Sequence, residues 1–141
     1  ILKPSADRED VKAWIKESTP VFLQLTHARF HQSPFGEFVQ LASRDYYQQK
    51  KELHLGATFE ELLVQSDELV AKANTLLEEL DSLLYSETTV NEALSYDDID
   101  IFPRLRGITV VKGIKWPTKV RAYIDHFSKE GDVLLFDRIA F

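Results

Sequence analysis

The residues from Ser95 to Val111 constrain the fold most strongly, because they predict a capped and largely buried helix. The Ser95 hydroxyl can accept a hydrogen bond from the Asp98 amide, while the Asp98 carboxylate can reach back to the Ser95 amide. Pro103 removes one amide donor and should bend the helix. Apolar residues occupy so many positions that little of the helix surface is polar, which is typical of a helix buried on most sides. These residues are Ile99, Ile101, Phe102, Leu105, Ile108, Val110 and Val111. We therefore predict a bent, buried central helix at about 95–112.

Two helices are predicted in the first part of the chain. Ser5 is a candidate N-cap for a first helix that reaches about His31, and Pro20 either bends this helix or splits it in two. Residues 32–37 contain a proline and a glycine and predict a connection. A second helix is expected over Ser43–Leu55.

Two more helices flank the central one. Thr58 and Glu61 form a predicted capping box ahead of one long helix that continues to about Leu84. Pro117 is suited to the first position of a last helix, which we expect to end near Lys129. Residues 132–141 are too apolar to remain free in solvent, so they should pack back against the domain.

Composition agrees with one all-α domain covering residues 1–141 and built from about five helices. Five Gly and five Pro are few for a turn-rich β architecture. The net charge of −6 argues against nucleic-acid binding, since such proteins need a basic surface for the phosphates. No apolar run reaches the roughly 18 residues of a membrane span.

The chain contains no cysteine, which excludes disulfides, thiolate metal sites and thiol nucleophiles within its 141 residues. It also opens on Ile1 and contains no methionine, although translation normally starts with one. We therefore expect the sequence to be part of a longer protein that continues on the N-terminal side.

Few residues suggest chemistry of their own. His27 and His31 stand four apart on one helical face, a spacing compatible with a metal, but a third ligand would have to come from another helix. Asp97, Asp98 and Asp100 could act as acids, bases or cation ligands, yet helix capping and the helix dipole explain all three. Capping is the favoured interpretation, and no metal site is predicted.

Three arginines border apolar helix surfaces and have two interpretations. Arg104 and Arg106 flank the central helix, and Arg29 lies near the end of the first. They either pair with surface carboxylates while their stems cover apolar surface, or they contact an anionic ligand or a partner domain across a cleft. No Ser-His-Asp order, phosphate loop or nucleotide motif accompanies them.

Two stretches resemble a known family: Leu94–Arg106, which reads LSYDDIDIFPRLR, and Gly113–Pro117, which reads GIKWP. They closely resemble the C-terminal domain of bacterial glutaredoxin 2. Residues 28–30 and 59–63 are similar to the same family. The resemblance implies a helical bundle like the C-terminal domain of glutathione transferases.

The resemblance also implies a two-domain parent that reduces disulfides in the cytoplasm, with glutathione as its electron donor and co-substrate. Its N-terminal thioredoxin-like domain would carry a Cys-Pro-Tyr-Cys motif and most of the glutathione site. The present chain would then hold no catalytic or cofactor-binding residue. By analogy with the superfamily, five side chains are expected to contact the redox domain: Phe22, Arg29, Phe30, Phe102 and Arg106. The alternative is a non-enzymatic interaction module of glutathione-transferase type, whose parent lacks the dithiol.

Overall fold

A computed structural model describes residues 2–30, 41–55 and 57–141. These residues form six α-helices followed by a 3₁₀ turn at Asp137–Ile139: α1 Glu9–Phe30, α2 Leu41–Leu55, α3 Phe59–Val64, α4 Ser66–Leu83, α5 Tyr96–Ile108 and α6 Thr118–Glu130. Within the described ranges no strand occurs, and β structure is limited to one bridge between Lys3 and Ser95. The all-α prediction is confirmed.

Helix α1 lies at the centre of the packing, because α2, α3, α4 and α5 all contact it. Its Trp14 is buried, and the indole Nε1 donates a hydrogen bond to the Leu76 carbonyl of α4 at 2.7 Å. Helix α5, by contrast, packs mainly on α1 and α6. The central position that we predicted for α5 thus belongs to α1.

The start of α1 differs from the prediction that Ser5 caps it. The helix begins at Glu9, and the Ser5 hydroxyl instead donates to Asp97 Oδ1 at 2.7 Å. The main chain of Lys3 is hydrogen-bonded to residues at the start of α5. This pairing holds the segment before α1 away from the axis of α1. Pro20 does not split α1, which is continuous to Phe30. His31 and the predicted connection at 32–37 lie outside the described residues.

The helix predicted to run from Thr58 to Leu84 is two helices. Thr58 Oγ1 accepts the Glu61 amide at 3.1 Å, which is the Thr58 arm of the predicted capping box. At Gln65 the backbone leaves the helical path (φ −82°, ψ 6°), and α4 starts at Ser66. The break leaves the Ser66 hydroxyl in contact with the Arg29 guanidinium of α1, a long-range contact that helical spacing could not predict.

Helix α5 is shorter and less buried than predicted. It ends at Ile108, so Val110 and Val111 are buried in the turn that follows and not in the helix. Its buried face consists of Asp98, Ile101, Leu105 and Ile108. On another face the Ile99 side chain is 56% exposed. The predicted buried helix is therefore present, but it ends at Ile108 and not near 112, and one side of it is exposed, because apolar residues also occupy that side and the turn after it.

Residues 132–141, which we call the strap, pack back on the helices as predicted. The Phe141 amide donates to the Val110 carbonyl at 3.0 Å, and the Phe136 amide donates to Thr109 Oγ1 at 2.8 Å. Leu135 and Ile139 pack against the core. The strap thus covers the turn that follows α5.

Candidate functional site

Asp98 is buried at the start of α5, with 1% of its surface exposed, and accepts three hydrogen bonds. The Ser95 amide donates to Oδ2 at 3.0 Å, which is one arm of the predicted capping box. The Val90 amide and the Tyr123 hydroxyl donate to Oδ1, both at 2.9 Å. In the other arm, the Asp98 amide lies opposite Ser95 Oγ. The same amide donates a hydrogen bond to the Ser95 carbonyl at 3.1 Å. Asp98 therefore ties together α5, α6 and the loop before α5.

Tyr123 is the partner of Asp98 that the sequence did not reveal. Its side chain is fully buried, and burial, reinforced by Asp98, raises the pKa of its hydroxyl. The phenol therefore stays protonated and serves as a hydrogen-bond donor. The sequence showed Tyr123 only as an apolar position of the last helix, since its carboxylate partner lies 25 residues away.

Asp97 holds the segment that precedes α1. Its carboxylate accepts from the Ser5 hydroxyl at 2.7 Å, the Ala6 amide at 3.0 Å and Asn91 Nδ2 at 2.7 Å. Partial burial opposes ionisation, but these hydrogen bonds outweigh it and lower the pKa of the Asp97 carboxyl. The carboxylates of Asp97 and Asp98 thus both make structural contacts, but those of Asp97 join α5 to other segments and are not the helix capping that we predicted.

Phe22 and Arg29, two residues predicted to face a redox domain, are both 4% exposed. The Phe22 ring packs edge-on against Trp14 with centroids 5.7 Å apart. Arg29 Nε donates to the main-chain oxygen of Phe141 at 2.6 Å, and its terminal nitrogens contact the Leu25 carbonyl and Ser66 Oγ. These side chains hold the domain together and have little surface left for a neighbouring domain.

Phe102 and Arg106 are half-buried, and they turn towards α6 and the strap. The Phe102 ring lies 5.5 Å from that of Phe127. Arg106 Nε donates to the Leu134 carbonyl at 2.8 Å, and its guanidinium lies over the Phe136 ring at 4.5 Å. Arg106 and Arg29 thus both contact the strap, whereas Phe102 packs on α6 and Phe22 on Trp14. The fifth predicted residue, Phe30, has a side chain outside the described part.

A groove of about 200 Å³ lies between α1 and α5. Phe22 forms part of its lining, together with seven other residues: Thr19, Leu23, Thr26, His27, Pro103, Arg104 and Gly107. At its rim, an Arg104 terminal nitrogen donates to Thr19 Oγ1 at 2.7 Å, and Arg104 Nε contacts Asp100 Oδ1 at 3.2 Å. The groove has an apolar lining and one cationic edge.

His27 lines the groove between α1 and α5. Its ring stacks on that of Tyr47, and Nδ1 lies 3.2 Å from the Tyr47 hydroxyl. Burial raises the pKa of the Tyr47 hydroxyl to about 12. Among the described residues no three His, Asp or Glu side chains converge as metal ligands, and the second histidine of the predicted pair, His31, lies outside them. The described helices also include none that is long and apolar enough to cross a membrane.

The fold and these contacts define an all-helical domain whose polar clusters are engaged in structure. The family model described as "Glutaredoxin 2, C terminal domain" matches residues 10–140. The chain belongs to this family, and the resemblance found in its sequence is confirmed.

Curated and solved relatives agree with this assignment. Glutaredoxin 2 of Escherichia coli K12 is 37% identical over 130 residues, which cover 92% of this chain and 60% of that protein. The protein from strain O157:H7 gives the same values. A structure of Salmonella typhimurium glutaredoxin 2 in complex with glutathione superposes with a TM-score of 0.93 at 36% identity, covering 99% of this chain and 64% of that one. The chain thus spans about 60% of the length of the curated relatives.

Proposed function

We propose that this chain is the supporting domain of a glutathione-dependent thiol–disulfide oxidoreductase. Membership of the glutaredoxin 2 C-terminal family, in a chain without cysteine, carries this proposal. The relatives are longer than the matched region, and one was solved with glutathione bound. The reacting thiols then reside in an N-terminal thioredoxin-like domain, and glutathione is the co-substrate of the whole protein. Since glutathione donates the electrons, the protein works in a reducing compartment, the cytoplasm.

The mechanism assigned to this domain is structural. A thiolate attacks a disulfide sulfur efficiently only when the sulfur atoms are held in line and at reactive distance. A rigid neighbouring domain limits the motion of the helix that bears the dithiol, and it walls the cleft in which the substrate lies. The contacts of Asp98 and of Arg29 support such rigidity, because each residue ties several elements of the domain together.

The reading frame upstream of Ile1 tests the proposal directly. It should encode a first β-strand followed by Cys-x-x-Cys, the arrangement that lowers a thiol pKa at a helix N-terminus. A frame that encodes a thioredoxin-like domain without this motif would favour the non-enzymatic interaction module. A frame with no such domain would refute both.

The α1–α5 groove is the part of the surface that we assign to the redox domain. The five residues chosen from the sequence point to the same two helices, but Phe22 and Arg29 are too buried to make a large contact. The groove instead offers the half-buried Leu23 and the exposed Pro103 as apolar contacts, with Arg104 at its edge. An apolar side chain of the redox domain, accompanied by a carboxylate, would fit this surface.

Substitution of Leu23 by glutamate tests this interface in the full-length protein. A buried carboxylate in the groove should separate the domains and lower the rate of glutathione-dependent disulfide reduction about tenfold. Thermal unfolding of the 141-residue chain should change little, because Leu23 is only half-buried there. Leu53→Glu on α2 is the matched control, since Leu53 is 86% exposed and lies outside the groove. Equal activities of the two variants would refute the interface and leave the redox proposal intact.

The isolated chain should not bind glutathione measurably. By family resemblance most of the glutathione site lies in the redox domain, so this chain would form only one side of the cleft around it. Titration of reduced glutathione into the ¹⁵N-labelled chain should leave the amide chemical shifts unchanged at millimolar concentration. Saturable shifts clustered around the α1–α5 groove would show that this domain supplies part of the ligand site.

A further inference from the structure

The strap, residues 132–141, combines exposed side chains with contacts to a fully buried turn. The structure describes all ten of its residues, and none is buried. Leu134 is 82% exposed and Phe141 is 39% exposed. Beneath the strap, Thr109, Val110 and Val111 are 1%, 0% and 4% exposed. The strap thus has no fully buried residue, but it packs Leu135, Phe136 and Ile139 against the core and shields the turn beneath it.

Three arginines from three different helices fasten the strap. Arg29 of α1 holds the main-chain oxygen of Phe141 at 2.6 Å. Arg106 of α5 holds the Leu134 carbonyl at 2.8 Å and stacks on Phe136. Arg121 of α6 pairs with Asp137 at 3.0 Å. The last contact is partly exposed, and the pairing of Arg121 with Asp125 and Asp137 outweighs partial burial and raises the pKa of its guanidinium.

Further hydrogen bonds, made by main-chain and hydroxyl groups, join the strap to the turn and to α6. Phe141 both donates to the Val110 carbonyl at 3.0 Å and accepts from the Lys112 amide at 3.2 Å. The Val133 amide donates to the Ser128 carbonyl at 3.0 Å. A segment without fully buried side chains, held largely by hydrogen bonds near solvent, opens at lower free energy than the packed helices around it.

We propose that the strap is a latch that opens as a unit while all six described helices stay folded, and that the arginine contacts set how often it opens. When it opens, the main-chain oxygen of Phe141 leaves the buried guanidinium of Arg29, and the turn at Thr109–Val111 meets solvent. The latch therefore controls access to a buried cation and an apolar turn. It is independent of the proposed redox function, because it concerns only contacts within this chain.

Amide hydrogen exchange in the 141-residue chain, resolved by NMR, tests the latch. The amides of Phe141 and Lys112 report its closure, since both hydrogen bonds join the strap to the turn. After correction for intrinsic rates, both should exchange at least about 100-fold faster than the buried Leu77 and Leu105 amides of α4 and α5. Exchange of all four at one common rate would mean that the strap opens only with the whole domain, and would overturn the proposal.

Arg106→Gln tests the role of the arginines. It removes a charged hydrogen bond and a ring contact, so exchange at Phe141 and Lys112 should accelerate about tenfold while Leu77 and Leu105 stay within about twofold. Arg138→Gln is the matched control, because Arg138 is an exposed strap arginine without an ion pair or hydrogen bond among the described residues; it should change none of the rates. Equal acceleration at all four amides in Arg106→Gln would show that Arg106 stabilises the domain as a whole and would contradict the latch.

Discussion

Replacing Asp98 by alanine should lower the free energy of unfolding of the chain by about 3–5 kcal/mol. The substitution leaves the Ser95 amide, the Val90 amide and the Tyr123 hydroxyl without their acceptor in a site that is 1% exposed. Each unsatisfied buried donor costs about 1–3 kcal/mol, and structural relaxation recovers part of the sum. Urea unfolding followed by circular dichroism measures the loss.

Two further variants distinguish a buried hydrogen-bonding centre from an ordinary helix cap. Asp100→Ala removes a carboxylate from the same helix, but its side chain is half exposed and pairs with Arg104 on the surface, so it should cost less than about 1 kcal/mol. Tyr123→Phe removes one of the three donors and should cost about 1–2 kcal/mol. A loss of only about 1 kcal/mol in Asp98→Ala would indicate capping alone and would refute the role given to Val90 and Tyr123.

Replacing Arg29 by alanine should destabilise the isolated chain by about 2–4 kcal/mol. The change removes the groups that donate hydrogen bonds to the main-chain oxygen of Phe141 and to the Ser66 hydroxyl, and it leaves a cavity in place of a buried side chain. Lysine should restore only part of the stability, because a single ammonium group cannot reproduce the planar set of donors. Thermal unfolding of the three proteins measures the series.

The same substitution separates two interpretations of Arg29. If its role is internal, Arg29→Ala lowers the stability of the isolated chain, and the activity of the full-length protein falls only in proportion to the fraction of protein that is unfolded. If it contacts the redox domain, activity falls while the isolated chain keeps its stability. Arg138→Ala provides the comparison for an exposed arginine and should change stability by less than about 0.5 kcal/mol.

Local signals predicted the helices well, because caps and apolar spacing act over a few residues. The Thr58–Glu61 cap and the Ser95–Asp98 arm are both present at the predicted places. The α3–α4 break at Gln65 was missed, since apolar spacing continues through it and no glycine or proline marks it. Ser5 was misassigned because its partner, Asp97, lies 92 residues away.

The surface was harder to predict than the elements. From its spacing alone, Arg29 could face either a partner or the core, and its burial depends on the strap folding back more than 100 residues later in the chain. Likewise, Asp98 showed only its local partner in the sequence, whereas Val90 and Tyr123 are brought to it by the packing of a loop and α6. Resemblance to a family supplied the functional class, which no local pattern in this cysteine-free chain could supply.

The central claim is that this domain supports chemistry whose reacting groups lie outside it. The most direct measurement is the reduction of a mixed disulfide between glutathione and 2-mercaptoethanol, coupled through glutathione reductase to NADPH oxidation. The 141-residue chain should give the rate of the protein-free control, and the full-length protein should be active until its Cys-x-x-Cys cysteines are changed to serine. Activity in the isolated chain, or a full-length protein that is inactive with its dithiol intact, would contradict the account.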